Sequence, residues 1–270
     1  MAPIIRSLAQ VFADLRSRKQ IGLLPFVPAG YPDLATTEAI LPALESGGAS
    51  AIEVGIPFSD PIADGPTIQE AFNVALGQKL RVADVFQSIA RTRSRIALPL
   101  ISMVSYSIVY RYGARRYFSD AVSAGFNGLI LPDVPPPEAA GVCAMAQSAG
   151  LDTILLVSPT TSAQRRKQIA GLCTGFVYYL SVTGITGARD QLPADLAENV
   201  RQLRSVTQVP VCVGFGISTP EHIKQLAPVA DGAIVGSALV KKINESRQAG
   251  PAGIAAALGR CCSELLSQVR

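Results

Sequence analysis

Eight short apolar runs, each closed by Gly, Pro, Ser or Asp and most of them followed by a stretch with helical periodicity, constrain this chain more than any other feature. They are IGLLPFVPAG from Ile21, SAIEVGIP from Ser50, ALPLISMVS from Ala97, FNGLILPDVP from Phe126, LDTILLVSPTT from Leu151, GFVYYLSVTG from Gly175, VPVCVGFGIS from Val209 and ADGAIVGSALV from Ala230. Between them lie segments such as DLATTEAILPALESGGA and PEAAGVCAMAQSAG, whose apolar periodicity stops at Gly, the usual helix end. Near-continuous apolar strands alternating with helices imply a parallel sheet covered by helices. Eight such units in 270 residues fit a single (β/α)8 TIM barrel better than a doubly wound sheet. The leading MAPIIRSLAQVFADLRSRKQ has helical spacing of its own and predicts an extra N-terminal helix. No linker or shift in composition divides the chain, so residues 1–270 are expected to form one domain.

Composition excludes several function classes. The net charge of +4 comes from scattered Lys and Arg, and the short runs ARRY at Ala114 and QRRKQ at Gln164 read as solvated helix faces, not a nucleic-acid surface. Cys143, Cys173, Cys212, Cys261 and Cys262 show neither CxxC spacing nor a Cys/His cluster, which argues against a metal site and a disulfide framework and for a cytoplasmic location. Cys261 and Cys262 read as packing or exposed thiols. The N-terminus lacks the uninterrupted apolar core of a signal peptide, and no apolar run approaches the roughly 20 residues of a membrane span. His222, the single histidine, falls in the first turn of a helix and reads as a surface residue.

In a barrel of this kind the chemistry gathers at the C-terminal ends of the strands. There the seventh run ends in GFGIS and the eighth in VGSALV, with Gly236 and Ser237 opening a helix. Such glycines serve tight turns, or they let backbone N–H groups approach an anion beside a helix N-terminus; their joint occurrence at strands seven and eight favours a phosphate. Gly187, in the Gly-rich TGITGARD after strand six, offers a third backbone donor.

Carboxylates are the main acid–base candidates. No lysine falls at a strand end, as a Schiff-base aldolase of this fold requires, and nucleophile-elbow, P-loop, HExxH and dinucleotide motifs are all missing from the sequence. Glu53 sits between Ile52 and Val54, so it points either outward against a helix or into the barrel mouth. In the mouth its neutral form is favoured, which suits a group that both gives and takes a proton. Asp64 lies in the following loop, SDPIADGPT, placed to face a substrate from the other side. Asp60 reads as a structural residue bonding loop amides, and Asp133, in LPDVP, as a carboxylate for substrate or for a partner surface.

These residues resemble one known family, the tryptophan synthase alpha chain. The resemblance is carried by IEVGIPFSDPIADG, LPDVP, YLSVTGITGAR, VGFGIS and VGSALVK in that order, and it covers essentially the whole chain. It implies retro-aldol cleavage of indole-3-glycerol phosphate to indole and glyceraldehyde 3-phosphate, with neither metal nor organic cofactor. Glu53 then protonates indole carbon 3 and removes the proton of the glyceryl hydroxyl beside the breaking bond, while Asp64 accepts the indole N–H. Thr186 closes loop six over loop two and positions Asp64. Gly187, Gly216, Gly236 and Ser237 hold the phosphate, and Phe26, Ile68, Met103, Tyr178 and Phe215 line the indole pocket. The resemblance also implies docking, as an alpha2-beta2 heterotetramer, on a beta chain that carries pyridoxal phosphate. One segment departs from the family: MVSYSIVY from Met103 places Ser105 and Ser107 where a tyrosine and an asparagine are usual, the latter at the beta-facing surface. That departure leaves room for a stand-alone lyase releasing free indole. Two other readings compete: a neighbouring phosphate-binding barrel such as indole-glycerol-phosphate synthase, opposed by the missing strand-end lysine, and a non-catalytic barrel that only activates a beta chain, opposed by Glu53 and Asp64.

Overall fold

The computed structural model describes residues 4–61, 64–180, 192–214 and 216–269. Each apolar run contains one strand: β1 (Gly22–Pro28), β2 (Ile52–Gly55), β3 (Leu100–Met103), β4 (Gly128–Ile130), β5 (Asp152–Val157), β6 (Val177–Leu180), β7 (Val211–Gly214) and β8 (Gly232–Val235). All neighbours pair in parallel and β8 returns to β1, closing the barrel in sequence order. Among the described residues no helix is long and apolar enough to cross a membrane.

Side chains alternate along a strand, so residues two apart share a face. The inner layer is read from one buried cluster: Leu24, Ala51, Ile101, Ile130, Ile154, Phe176, Cys212 and Ile234. Two residues further toward the strand ends, the same face carries Phe26, Glu53, Met103, Tyr178, Gly214 and Gly236. Parallel register agrees, since Glu53 pairs with Phe26 on one side and with the inward Ile101 on the other. Ile52 and Val54 belong instead to the outer cluster beneath the helices.

The predicted N-terminal helix, α1 (Leu8–Ser17), closes the opposite end. Its N-cap Ser7 and Gln10 form a reciprocal capping box, and its buried face inserts Leu8 and Phe12 into the inner cluster. The Phe12 and Phe176 rings meet edge-to-face at 6.0 Å. Glycine admits this floor: a Cβ on Gly175 or Gly128 would stand 3.0 or 3.3 Å from Leu8 Cδ1.

The outer helices follow in order: α2 (Leu34–Ser46), α3 (Pro66–Gly77), α4 (Val82–Thr92), α5 (Tyr106–Tyr112), α6 (Ala114–Ala124), α7 (Pro136–Ser148), α8 (Ala163–Leu172), α9 (Leu196–Arg204), α10 (Pro220–Leu226), α11 (Ser237–Glu245) and α12 (Gly250–Leu265). The last returns against α2, where a Cβ on Gly47 would overlap the Gly259 carbonyl and touch Cys262. Cys262 is thus a buried packing residue and Cys261 is half-buried.

Two surface expectations are overturned. His222 is buried, not exposed: Nδ1 accepts the Ser218 N–H at 3.3 Å, and its own N–H donates to the α10 N-cap Thr219. The polar residue is affordable inside because the cap and the loop before it supply partners. Within QRRKQ, Arg166 is buried and donates to the carbonyls of Thr161 (2.9 Å) and Pro159 (3.0 Å), tying the loop after β5 to α8. The arginines of ARRY are exposed as expected.

Candidate active site

Glu53 is fully buried at the barrel mouth, and neither carboxyl oxygen has a hydrogen-bond partner among the described residues. An unpaired ionised carboxylate there would lose its hydration with nothing in return. Burial therefore holds its pKa well above the usual value and favours the protonated acid. Asp64, half-buried on the loop before α3, is pushed by burial up to about 6. Both carboxyls are thus held more readily in the protonated form than an exposed carboxylate, which suits proton handling.

Tyr178 joins them from β6. Its hydroxyl is raised well above the ordinary tyrosine range, first by burial and then by the nearby carboxylates of Glu53 and Asp64. Beside it Gly214 leaves room: any Cβ at that position would overlap the Tyr178 hydroxyl. Sequence reading gives the GFGIS glycines to tight turns or to phosphate and does not foresee this contact. We predict that Gly214→Ala destabilises the fold by about 1–3 kcal/mol and displaces Tyr178, because overpacking a filled layer forces neighbours off their rotamers. A urea melt superimposable on that of the parent would refute the close packing.

Phe26, Ile68 and Gly236 are brought together. A Cβ on Gly236 would lie 3.4 Å from Phe26 Cδ1 and 3.8 Å from Ile68 Cδ1. Phe72 completes the apolar wall, its ring 6.4 Å from that of Phe26 and tilted by 71°. It was missed in the sequence although it follows Ile68 at i+4, the spacing that puts two helical side chains on one face. Gly236 and Ser237 are half-buried at the start of α11, where backbone N–H groups have no intrahelical partner. Gly216 follows β7 with φ +83°, a left-handed conformation that favours glycine. Thr186, Gly187 and Phe215 lie outside the described residues.

A cavity of about 170 Å³ opens between the loops after β2, β3 and β4. Its walls include Ile56, Phe58, Phe72 and Met103, with Asp64, Ser105 and Asp133 at its polar edge. Among the described residues expected at the substrate, Met103 and Asp64 line it, whereas Glu53, Phe26, Ile68 and Tyr178 do not. Asp133 is occupied locally, accepting from Ser105 Oγ at 2.6 Å and from the Tyr106 N–H at 2.7 Å, so it anchors the start of α5. Ser105 Oγ also meets Ser107 Oγ at 2.8 Å. Asp60 is exposed at the same cavity and accepts from the Ser59 hydroxyl at 2.7 Å. No group of three His, Cys, Asp or Glu side chains set to hold a metal occurs among the described residues.

The sequence profile of a family described as tryptophan synthase alpha chain matches residues 12–266. The chain belongs to the tryptophan synthase alpha chain family. The tryptophan synthase alpha chain of Rhodopirellula baltica is 47% identical over 242 residues, which cover 88% of this chain and 87% of that one. Among solved structures, the tryptophan synthase A-subunit of Pyrococcus furiosus superimposes with a TM-score of 0.84 at 36% identity, covering 91% of this chain and 98% of its own. A chain of tryptophan synthase from M. tuberculosis, solved in an aminoacrylate-bound form, gives a TM-score of 0.84 at 33% identity over 98% of this chain and 100% of that one. Within the tryptophan synthase alpha chain family, then, this member sets Glu53, Asp64 and Tyr178 around one mouth and ties Ser105 to Asp133 at its rim.

Proposed function

We propose that Glu53 and Asp64 are the proton-handling pair of the alpha-chain reaction. As a member of this family the chain is a lyase of tryptophan biosynthesis, cleaving indole-3-glycerol phosphate to indole and glyceraldehyde 3-phosphate. The observation that carries the residue assignment is the buried, unpartnered Glu53 carboxyl facing the same mouth as Asp64.

The protonated Glu53 gives its proton to indole carbon 3 while Asp64 accepts the ring N–H, producing the indolenine. The Glu53 carboxylate then takes the proton of the hydroxyl on the adjacent glyceryl carbon. The carbon–carbon bond breaks, its electrons pass into the ring as indole re-forms with the nitrogen proton returned from Asp64, and the hydroxyl carbon leaves as the aldehyde. Phe26, Ile68, Met103, Tyr178 and Phe215 enclose the ring; Gly187, Gly216, Gly236 and Ser237 hold the phosphate, with Thr186 closing over Asp64. Binding of the remote phosphate helps to offset the cost of ordering the loops.

Residues 1–270 act as one cytoplasmic domain that needs no cofactor of its own and docks on a beta chain carrying pyridoxal phosphate, in an alpha2-beta2 heterotetramer. Support for a partner comes from the family and from the M. tuberculosis tryptophan synthase likeness. A stand-alone lyase is the second reading, favoured by Ser105 being engaged with both Ser107 and Asp133.

Indole release from indole-3-glycerol phosphate by the purified chain, with and without excess beta chain, tests both. We expect slow release that accelerates strongly on adding beta. Fast release indifferent to beta would establish the stand-alone lyase, and no release under either condition would refute the assignment of the carboxylates.

A further inference from the structure

Asp64 stands on irregular backbone, immediately before Gly65, the N-cap of α3. Glycine brings no side chain to cap the helix, and Pro66 at the first helical position brings no N–H. A tie on this entry comes from further along the helix. Gln69 folds its half-buried side chain back over the first turn, and its Nε2 donates to the Asp64 carbonyl at 2.7 Å. A carbonyl partner requires the amide nitrogen, which settles the orientation of the Gln69 amide. The Gln69 backbone N–H reaches the Gly65 carbonyl at 3.0 Å, as does that of Ile68. Among the described residues, Asp64's own N–H makes a longer contact, 3.3 Å, to the Pro61 carbonyl.

The Gln69 amide is therefore the tightest described tie on the Asp64 backbone. It also has a fixed reference frame, because α3 carries Ile68 and Phe72 into the apolar wall with Phe26. We propose that Gln69 is a positioning residue: through the Asp64 carbonyl it sets the direction of the Asp64 carboxylate relative to the indole wall. This rests on the proposed role of Asp64. The residue type follows from the task, since a donor is required: an ionised Glu would repel the carbonyl, and Leu would offer nothing.

The test is steady-state cleavage of indole-3-glycerol phosphate by four chains: the parent, Gln69→Leu, Asp64→Asn and the double variant. Small misplacements of a working group cost large factors in rate, so Gln69→Leu is expected to lower kcat by at least about tenfold. The phosphate loops that dominate binding are untouched, so KM should stay within about threefold. In the Asp64→Asn background the same change should cost less than about twofold, because no carboxylate remains to be aimed. Equal losses in both backgrounds, or a parent-like kcat in Gln69→Leu, would overturn the proposal. A parent-like kcat in Asp64→Asn would overturn the role of Asp64 itself and this inference with it. Should Gln69→Leu fail to fold, the isosteric Gln69→Glu keeps the helix and removes the donor at neutral pH, with the same pattern expected.

Discussion

Replacing Glu53 by Gln is expected to lower turnover of indole-3-glycerol phosphate by about 10²–10⁴-fold, the usual worth of a positioned acid or base, with the barrel intact. Gln has the shape of the protonated acid that burial favours in the parent, but it cannot transfer the proton. Stability supplies an independent check. Because the folded pKa of Glu53 lies well above its usual 4.5, the folded state keeps a proton that the unfolded chain releases as pH rises past that value. The contribution of Glu53 to stability is thus complete below the unfolded pKa and is lost progressively as pH climbs toward the folded one. Gln carries no such proton. Urea melts between about pH 4 and 8 should therefore show the stability difference moving in favour of Glu53→Gln as pH rises. Parent-like turnover in the variant would remove Glu53 from the chemistry, and a pH-independent stability difference would mean that the carboxyl is solvated after all.

The second large effect concerns Asp64. With its pKa near 6, it changes state within the working range of an enzyme, and the carboxylate is the form that accepts the indole N–H. The pH profile of kcat/KM should carry an acid limb that rises through about 6, since kcat/KM reports the groups of the unliganded enzyme. Asp64→Asn should lose about 10²-fold or more in kcat and lose the acid limb as well. The neutral amide still offers an oxygen to the ring nitrogen, so substrate binding should suffer less than turnover. An acid limb that persisted in the Asn variant would assign that titration to another group.

The strands were legible because each obeys local rules: apolar residues over a short run, stopped by a turn former. Glu53 was legible as a charge that such a run should not contain, and alternation from Ala51 carries it to the inner face. Contacts made between distant segments were not. The burial of His222 depends on Ser218 and Thr219 folding back around it, and that of Arg166 on carbonyls in the preceding loop. Both side chains are polar and sit on helices, where periodicity alone puts them in water. Asp133 was recognised as a carboxylate at the catalytic face, but its engagement by Ser105 requires β3 and β4 to lie side by side. The fit of Gly214 against Tyr178 likewise appears only when β6 and β7 pair.

The floor of the barrel has a consequence for the order of events in folding. Leu8 and Phe12 precede all eight strands in the chain, yet their partners include Gly128, Gly175 and Phe176, more than a hundred residues further on. Contacts of such sequence separation carry a large closure entropy and form late. The first helix must therefore wait, with its apolar stripe uncovered, until strands from the second half of the chain arrive. For this architecture the helix that precedes the first strand is among the last pieces to be locked in place.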